Sequence, residues 1–377
     1  MNTLKSIGCA ILKIFGHPCT QPPMPSALPR QRGVVCVFGG AGGVQPGMLQ
    51  TLRDTFGPNC NSVRLYLHLK NVAAAAKITL AGAEQLAYAW ADAMLDEASK
   101  LGMNCWIHRR YFYMPDGTLI DRTSPDFWNN VNGQFDQALS QVTAMATHFH
   151  AHGAELAGYD IISEPVAIVN GVDQVPPGYL ARQIQILDAL DSGDAALTSK
   201  NGTRYAIAKF APWAGAVGYA GQQPVPGFPR LVYGVHFYQP RPSVYAGVEK
   251  PYGFPGPGWP CTIGTTAWNA AELQKVLQPA LDFGSTYGVR MSLSEFSYAR
   301  WSAGGEQWLS DLIGIVEAAG WDWNYFMVGA APGVVAQCWA AEYDASFTPA
   351  AFGLPGEVGI GASPRGKALA SIFQAIK

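Results

Sequence analysis

The feature that most constrains this chain is a regular alternation of short apolar runs with longer helix-forming stretches. Eight runs are rich in β-branched or aromatic residues, as buried strands are, and Ala-, Leu- and Gln-rich windows with apolar residues three or four positions apart separate them. The predicted strands are 34–38, 62–67, 103–108, 157–162, 204–210, 231–237, 289–294 and 323–328. The clearest predicted helices are 82–100, 133–152, 178–191, 268–287, 304–319 and 365–376.

Eight strands separated by helices predict an α/β fold with a parallel sheet, and eight is the number that closes a barrel. We therefore predict a single-domain (β/α)8 TIM barrel over residues 33–377, with a doubly wound open sheet as the main alternative. Residues 17–31 contain five prolines. Residues 1–32 are accordingly predicted to be an extended lead-in to the first strand.

Composition excludes several classes of partner. Charged residues make up 14% of the chain and the formal net charge is −2, so the basic surface of a nucleic-acid-binding protein is absent. No apolar stretch approaches the roughly 20 residues that span a bilayer. The segment after Lys5 resembles the start of a signal peptide, but Lys13 interrupts it and no clean cleavage site follows. Compartment and oligomeric state therefore stay open.

The sequence predicts neither a metal nor a cofactor. The seven cysteines include no C-x-x-C pair, although a Cys9–Cys19 or Cys60–Cys105 disulfide is conceivable. The glycine-rich segment 39–43 does not complete the dinucleotide-binding pattern G-x-G-x-x-G, because Gln45 occupies the last position.

Two glutamates lie at the ends of predicted strands. Glu164 follows the fourth strand in YDIISEP, and Glu295 directly follows the seventh in LSEF. The carboxyl ends of barrel strands carry the catalytic residues of this fold. A pair of carboxyl groups about 5–5.5 Å apart is what glycoside hydrolysis with retention requires. We therefore predict a glycosidase whose catalytic residues are Glu164 and Glu295.

The order and spacing of several motifs resemble glycoside hydrolase family 5, a cellulase-like family of retaining β-glycosidases, over roughly residues 33–328. Its acid/base segment matches Ser163-Glu164-Pro165, and its nucleophile segment matches Ser294-Glu295-Phe296. The resemblance implies that Glu164 is the acid/base and Glu295 the nucleophile. It also implies a β-linked glucan, mannan or related oligosaccharide as substrate, and favours a secreted or periplasmic location.

Further positions match substrate-binding residues of that family. They are Arg64 in the second strand, His108 in the third, and His236 and Tyr238 at the end of the sixth. The family has Asn where this chain has Ser163, so the usual contact with the sugar 2-hydroxyl is altered. Two tryptophans, Trp323 and Trp339, are candidates for the aromatic platform at the eighth strand.

Residue chemistry assigns roles to these side chains. Tyr238 is expected to donate a hydrogen bond to Glu295, and His236 to contact the sugar or orient the acid/base. Arg64 is expected to lower the pKa of the nucleophile, while Glu164 must stay protonated near neutral pH. The alternatives are a structural ion pair for Arg64 and a buried core histidine for His108.

The segment 239–266, rich in Pro and Gly, is predicted to be a long loop without internal structure. Such loops are usually functional or disordered. Because it carries Tyr245, Tyr252, Phe254 and Trp259, we expect it to form a wall of the substrate cleft. A transglycosylase with the same covalent intermediate, or a carbohydrate-binding protein with weakened catalysis, remains as an alternative function.

Overall fold

The structure is a computed structural model that describes residues 28–38, 45–195, 203–248, 252–329, 338–341 and 360–376. Eight parallel strands close into a barrel in the order β1, β2, β3, β4, β7, β8, β11, β12 and back to β1. All eight predicted strands and the predicted closed barrel are thus confirmed. The barrel strands are β1 (Arg32–Phe38), β2 (Ser62–Leu67), β3 (Asn104–Arg109), β4 (Leu156–Ile161), β7 (Tyr205–Ala208), β8 (Leu231–Phe237), β11 (Arg290–Phe296) and β12 (Asp322–Val328).

Helices surround the barrel, and each of the six predicted helices is present with ends shifted by three residues or fewer. Four helices in the described part of the chain were not predicted: Met48–Phe56, Leu69–Ala76, Pro125–Trp128 and Arg241–Val244. They are nine, eight, four and four residues long, too short for a clear periodic pattern. The helices are α1 (Met48–Phe56), α2 (Leu69–Ala76), α3 (Leu80–Leu101), α4 (Pro125–Trp128), α5 (Gln134–Phe149), α6 (Tyr179–Asp194), α7 (Arg241–Val244), α8 (Ala270–Tyr287), α9 (Gly305–Ala318) and α10 (Pro364–Ala375).

The helix α3 shows how spacing in the sequence becomes packing. Its residues Ala83, Ala87, Ala91 and Ala98 are fully buried and recur three or four positions apart, with Met94 between them. This gives one continuous apolar stripe that packs on the barrel. In the described part of the chain, no helix combines the length and the apolar character that crossing a membrane requires.

The segment 239–266 differs from its prediction. It contains the short helix α7 and an antiparallel hairpin of β9 (Cys261–Ile263) and β10 (Thr266–Trp268), so it is not an unstructured loop. Trp259 is buried and its indole donates a hydrogen bond to Asp311 in α9 over 2.9 Å. This tryptophan anchors the segment to the barrel's outer helices instead of lining a cleft. A second hairpin, β5 (Ala167–Val169) and β6 (Val172–Gln174), follows Glu164.

The lead-in is described only from residue 28. There the backbone N–H of Gln31 donates to Asp322 at the start of β12 over 2.8 Å, which joins the segment to the amino-terminal end of the barrel. Cys9, Cys19 and the glycine-rich segment 39–43 lie outside the described residues. Cys60 and Cys105 are both buried free thiols, so the conceivable bridge between them does not form.

Candidate active site

The two predicted catalytic glutamates lie together at the carboxyl end of the barrel. Glu295 is the penultimate residue of β11, and Glu164 follows β4 by three residues. His236, the penultimate residue of β8, stands between them, with Nδ1 3.4 Å from Glu164 Oε1 and Nε2 3.6 Å from Glu295 Oε2. One oxygen of each carboxylate and one His236 nitrogen all lie within 4.8 Å of one another. The two carboxyl groups therefore face a common space.

Glu295 is oriented by a tyrosine. The Tyr238 hydroxyl, one residue beyond β8, donates a hydrogen bond to Glu295 Oε1 over 2.9 Å. The ring of Tyr238 packs against Trp339, with the ring centroids 5.1 Å apart, and the Trp339 indole donates to the Val244 carbonyl over 3.0 Å. A carboxylate that accepts a hydrogen bond from a packed tyrosine is held in one rotamer.

Arg64 occupies a different position from the one expected. Its side chain is fully buried, and its guanidinium donates to Asp160 of β4 and to the Ser294 carbonyl. Lys209, just after β7, binds the other oxygen of Asp160. Arg64 thus forms the structural ion pair that was the alternative, and with no exposed surface in the free protein its expected contact with the substrate stays a prediction. Its bond to the Ser294 carbonyl positions the backbone immediately before Glu295.

Neither Asp160 nor Lys209 was recognised in the sequence. Burial by itself raises the pKa of Asp160, but the neighbouring charges of Arg64 and Lys209 outweigh it and hold this pKa well below its usual range. Burial lowers the pKa of Lys209 to about 8, although Asp160 opposes the shift. The three charges form one compact network under the catalytic pair.

His108 is a neutral imidazole. It is buried and stacks on Tyr66, with ring centroids 4.4 Å apart. Burial lowers its pKa well below the usual value, and the neighbouring Arg64 lowers it further. Because a guanidinium only donates, His108 Nδ1 accepts from Arg64 Nη2 at 3.2 Å, which leaves the proton on Nε2. Among the described residues this Nε2 has no hydrogen-bond partner, so contact with a sugar hydroxyl stays a prediction.

Ser163 has an unused hydroxyl. The residue is 1% exposed, and its Oγ finds no hydrogen-bond partner in the described part of the chain. A buried hydroxyl without a partner costs free energy, which a ligand or a bound water would recover. Its expected contact with the sugar 2-hydroxyl therefore stays a prediction.

Two arginines beside Glu164 were missed in the sequence. Arg110 Nη2 lies 3.3 Å from Glu164 Oε2, and Arg122 Nη2 lies 3.8 Å from the same oxygen. Arg122 Nη1 also donates to the Glu164 carbonyl. Arg110 follows β3 directly, where barrels place functional residues, so its position was a usable signal. Arg122 lies in the loop before α4, where nothing in the sequence marks it.

These arginines contradict the expectation that Glu164 stays protonated near neutral pH. Burial alone raises the pKa of Glu164, but Arg110, the hydrogen-bonded His236 and Arg122 outweigh burial and hold it well below its usual range. In the absence of substrate Glu164 is therefore a carboxylate.

The two candidate platform tryptophans lie in different parts of the barrel. Trp339 lies beside Tyr238 and Tyr245, with ring centroids 5.1 and 5.2 Å away, and is part of the site. Trp323 is the second residue of β12 and fully buried. Its ring packs at a tilt against Phe373 of α10, and its indole donates to Glu317 over 2.7 Å. Trp323 as a platform is wrong, since it lies outside the barrel near its amino-terminal end.

A metal ion is one conceivable occupant of the space between Glu164, His236 and Glu295, since each offers a ligand atom. The neighbouring charges oppose it. Two guanidinium groups lie within 4 Å of Glu164 Oε2, and a divalent cation there would meet their repulsion in a buried site. The arrangement suits a pair of carboxyl groups that act on a substrate directly.

Comparisons with known proteins locate this fold among carbohydrate-active enzymes. No protein-family model matches the chain, and no curated protein matches it. Among solved structures, an endoglucanase Cel5A from Pseudomonas stutzeri is 13% identical with a TM-score of 0.60, covering 91% of this chain and 93% of its own. An endoglucanase Cel5A from Thermotoga maritima is 15% identical, with a TM-score of 0.58 and coverages of 82% and 94%. A structure described as a glycoside hydrolase is 15% identical, with a TM-score of 0.61 and coverages of 91% and 99%. The chain thus has the barrel fold of glycoside hydrolases.

Proposed function

We propose that this protein is a retaining β-glycoside hydrolase of the family 5 type, acting on β-linked oligosaccharides. The observation that carries the proposal is the pair Glu164 and Glu295, bridged by His236 at the carboxyl end of the barrel. One oxygen of each carboxylate lies within 4.8 Å of the other, and this close approach favours the separation of about 5–5.5 Å between carboxyl groups in retaining enzymes over the roughly 6.5–9.5 Å of inverting ones.

The geometry favours Glu295 as nucleophile. It lies on a rigid strand and accepts the Tyr238 hydrogen bond, so one oxygen is held while the other can attack the anomeric carbon. Attack forms the glycosidic ester and breaks the bond to the leaving oxygen, which must receive a proton.

Glu164 is then the acid/base. It donates its proton to the leaving oxygen and afterwards removes a proton from the water that hydrolyses the ester. Its carboxyl group is partly exposed, with 15% of the side chain accessible, so both the leaving group and water can reach it. Since Arg110 and Arg122 keep it ionised in the free protein, it must gain its proton in the complex with substrate.

The endoglucanases among the solved structures make β-glucan oligosaccharides the first substrates to test, with mannan oligosaccharides beside them. Proton NMR should show that the first sugar released has the β configuration. Release of the α anomer first would contradict retention.

Azide rescue separates the two roles. With an activated aryl glycoside, Glu295→Ala plus azide should yield the α-glycosyl azide, because azide attacks in place of the missing nucleophile. Glu164→Ala plus azide should yield the β-glycosyl azide, formed from the covalent intermediate. The reverse pattern would exchange the two assignments. If no covalent intermediate forms in Glu164→Ala, the proposed covalent mechanism is contradicted.

A further inference from the structure

We propose that the substrate carries a carboxylate on a sugar that flanks the scissile bond, and that Arg110 and Arg122 bind it. This inference rests on the proposed function, whose acid/base it concerns, and adds the chemical class of the substrate: an acidic, uronic-acid-containing glycoside. It requires that the two arginines are a ligand site and not only a support for Glu164.

The two guanidinium groups form a site that is built and incompletely filled. The side chain of Arg122 is 6% exposed, and its Nη2 has no hydrogen-bond partner among the described residues. The side chain of Arg110 is 30% exposed, so one member of the pair is accessible to a ligand. A guanidinium presents several N–H donors in a fixed plane, which a carboxylate matches with two parallel hydrogen bonds.

The arginines are located where the reacting bond must lie. Both approach Glu164 Oε2, while Glu164 Oε1 faces His236 and, beyond it, Glu295. A sugar whose glycosidic oxygen meets Glu164 therefore has its ring substituents within reach of the arginines. A neutral sugar could accept the free Arg122 N–H, but it would leave two guanidinium charges facing the single carboxylate of Glu164.

Charge balance points the same way. In the cluster around the two glutamates, four cationic side chains lie near three carboxylates, so the group is positive even with every carboxylate ionised. Protonating Glu164 for catalysis removes one negative charge and increases the excess. A substrate carboxylate restores the balance, and it favours the protonated acid by neutralising the charges that oppose it. The cations are Arg64, Arg110, Arg122 and Lys209, and the carboxylates are Asp160, Glu164 and Glu295.

The experiment compares matched β-linked disaccharides as substrates of the full-length protein. Glucosyl-glucose is the neutral reference, glucosyl-glucuronic acid carries the charge on the leaving sugar, and glucuronosyl-glucose carries it on the glycone. The methyl ester of each acid has nearly the same shape without the charge. We expect kcat/KM for one acid to exceed that for its methyl ester at least tenfold, and the preferred acid identifies which sugar the arginines bind.

Variants connect this preference to the arginines. Arg110→Gln should lower the acid-to-ester ratio at least tenfold, and Arg110→Lys, which keeps the charge but not the planar fork, should retain part of it. Equal rates for acids and esters in the unaltered protein would overturn the inference and leave the proposed function standing. A preference for a 6-O-sulfated disaccharide over both acids would overturn the inference that the substrate carries a carboxylate, and would identify sulfate as the bound anion.

A binding measurement keeps the test valid if no disaccharide is hydrolysed. In the Glu295→Gln variant, calorimetry should show tighter binding of an acidic than of a methyl-esterified oligosaccharide. Adding Arg110→Gln should remove the difference. If acid and ester bind equally, the anion site is refuted. If the unaltered protein hydrolyses none of the substrates but the variant binds the acid preferentially, only the proposed function is refuted.

Discussion

The Tyr238 hydroxyl donates a hydrogen bond to Glu295 Oε1 over 2.9 Å, at the point where two neighbouring barrel strands end. Because β8 and β11 are paired in parallel, the register of the strands fixes the distance between the two side chains. The nucleophile's orientation is thus determined by backbone pairing, and four predictions follow from this and the neighbouring contacts.

Removing the hydroxyl should slow catalysis. Tyr238→Phe should lower kcat/KM by about 10- to 100-fold, because a hydrogen bond to a charged group contributes about 1.5–3 kcal/mol. The measurement is steady-state kinetics on an aryl β-glycoside, with unfolding followed in parallel. Tyr88→Phe is the control, since it removes two 2.9 Å hydrogen bonds, one to Glu84 on α3 and one from Arg109 on β3, neither of which involves the catalytic pair. A similar loss of kcat/KM in both variants would indicate a general structural effect.

The charge beside Glu164 should control the pH profile. Since Arg110 lowers the pKa of Glu164, Arg110→Gln should raise it and move the limb of the kcat/KM profile that reports Glu164, measured on a neutral substrate, to higher pH. Arg122, His236 and Glu295 still face Glu164 in this variant, so the shift should be partial. Arg53→Gln, on the outer helix α1, serves as control and should leave the limb in place. A limb that stays fixed in Arg110→Gln would show that Glu164 is not the titrating acid.

The unusual serine gives a prediction with two distinguishable results. If Ser163 contacts a gluco-configured 2-hydroxyl through water, Ser163→Asn should raise kcat by up to roughly tenfold, because a direct donor is better preorganised. If Ser163 suits a different sugar, the same change should lower activity and shift the preference between C2 epimers. Paired gluco and manno substrates measure this, with Ser163→Ala as control. Unchanged kinetics on both would show that the position does not contact the 2-hydroxyl.

The buried network under the site should be important for stability. Asp160→Asn leaves the charges of Arg64 and Lys209 without their partner, and should lower the free energy of unfolding by about 3–5 kcal/mol in urea denaturation. Because the pKa of Asp160 is lowered in the folded state, this stabilisation is complete above about pH 4 and declines as the pH falls further. Lys275→Gln, which breaks an exposed pair with Glu272, should cost less than about 1 kcal/mol. Equal effects of the two changes would show that the network is not needed.

Local patterns were enough for the architecture. The alternation of β-branched runs with periodic helices predicted all eight barrel strands, because strand and helix propensity and the burial of one face are local properties. The same local reasoning located Glu164 and Glu295 at strand ends, since parallel strands of a closed barrel bring such ends together. The short helices α1, α2 and α4 and the fold of residues 239–266 were missed, because brief elements leave no periodic signal.

Charge pairing was decided only by the tertiary structure. The sequence predicted Glu164, Glu295, His236 and Tyr238 at one end of the barrel, but side-chain partners depend on strand register and on loops distant in the chain. Arg64 bonds Asp160, 96 residues away, and Arg122 reaches Glu164, 42 residues away. The pKa of a buried group depends on all charges around it, so the ionised state of Glu164 and the two arginines that impose it emerge only when the chain is folded.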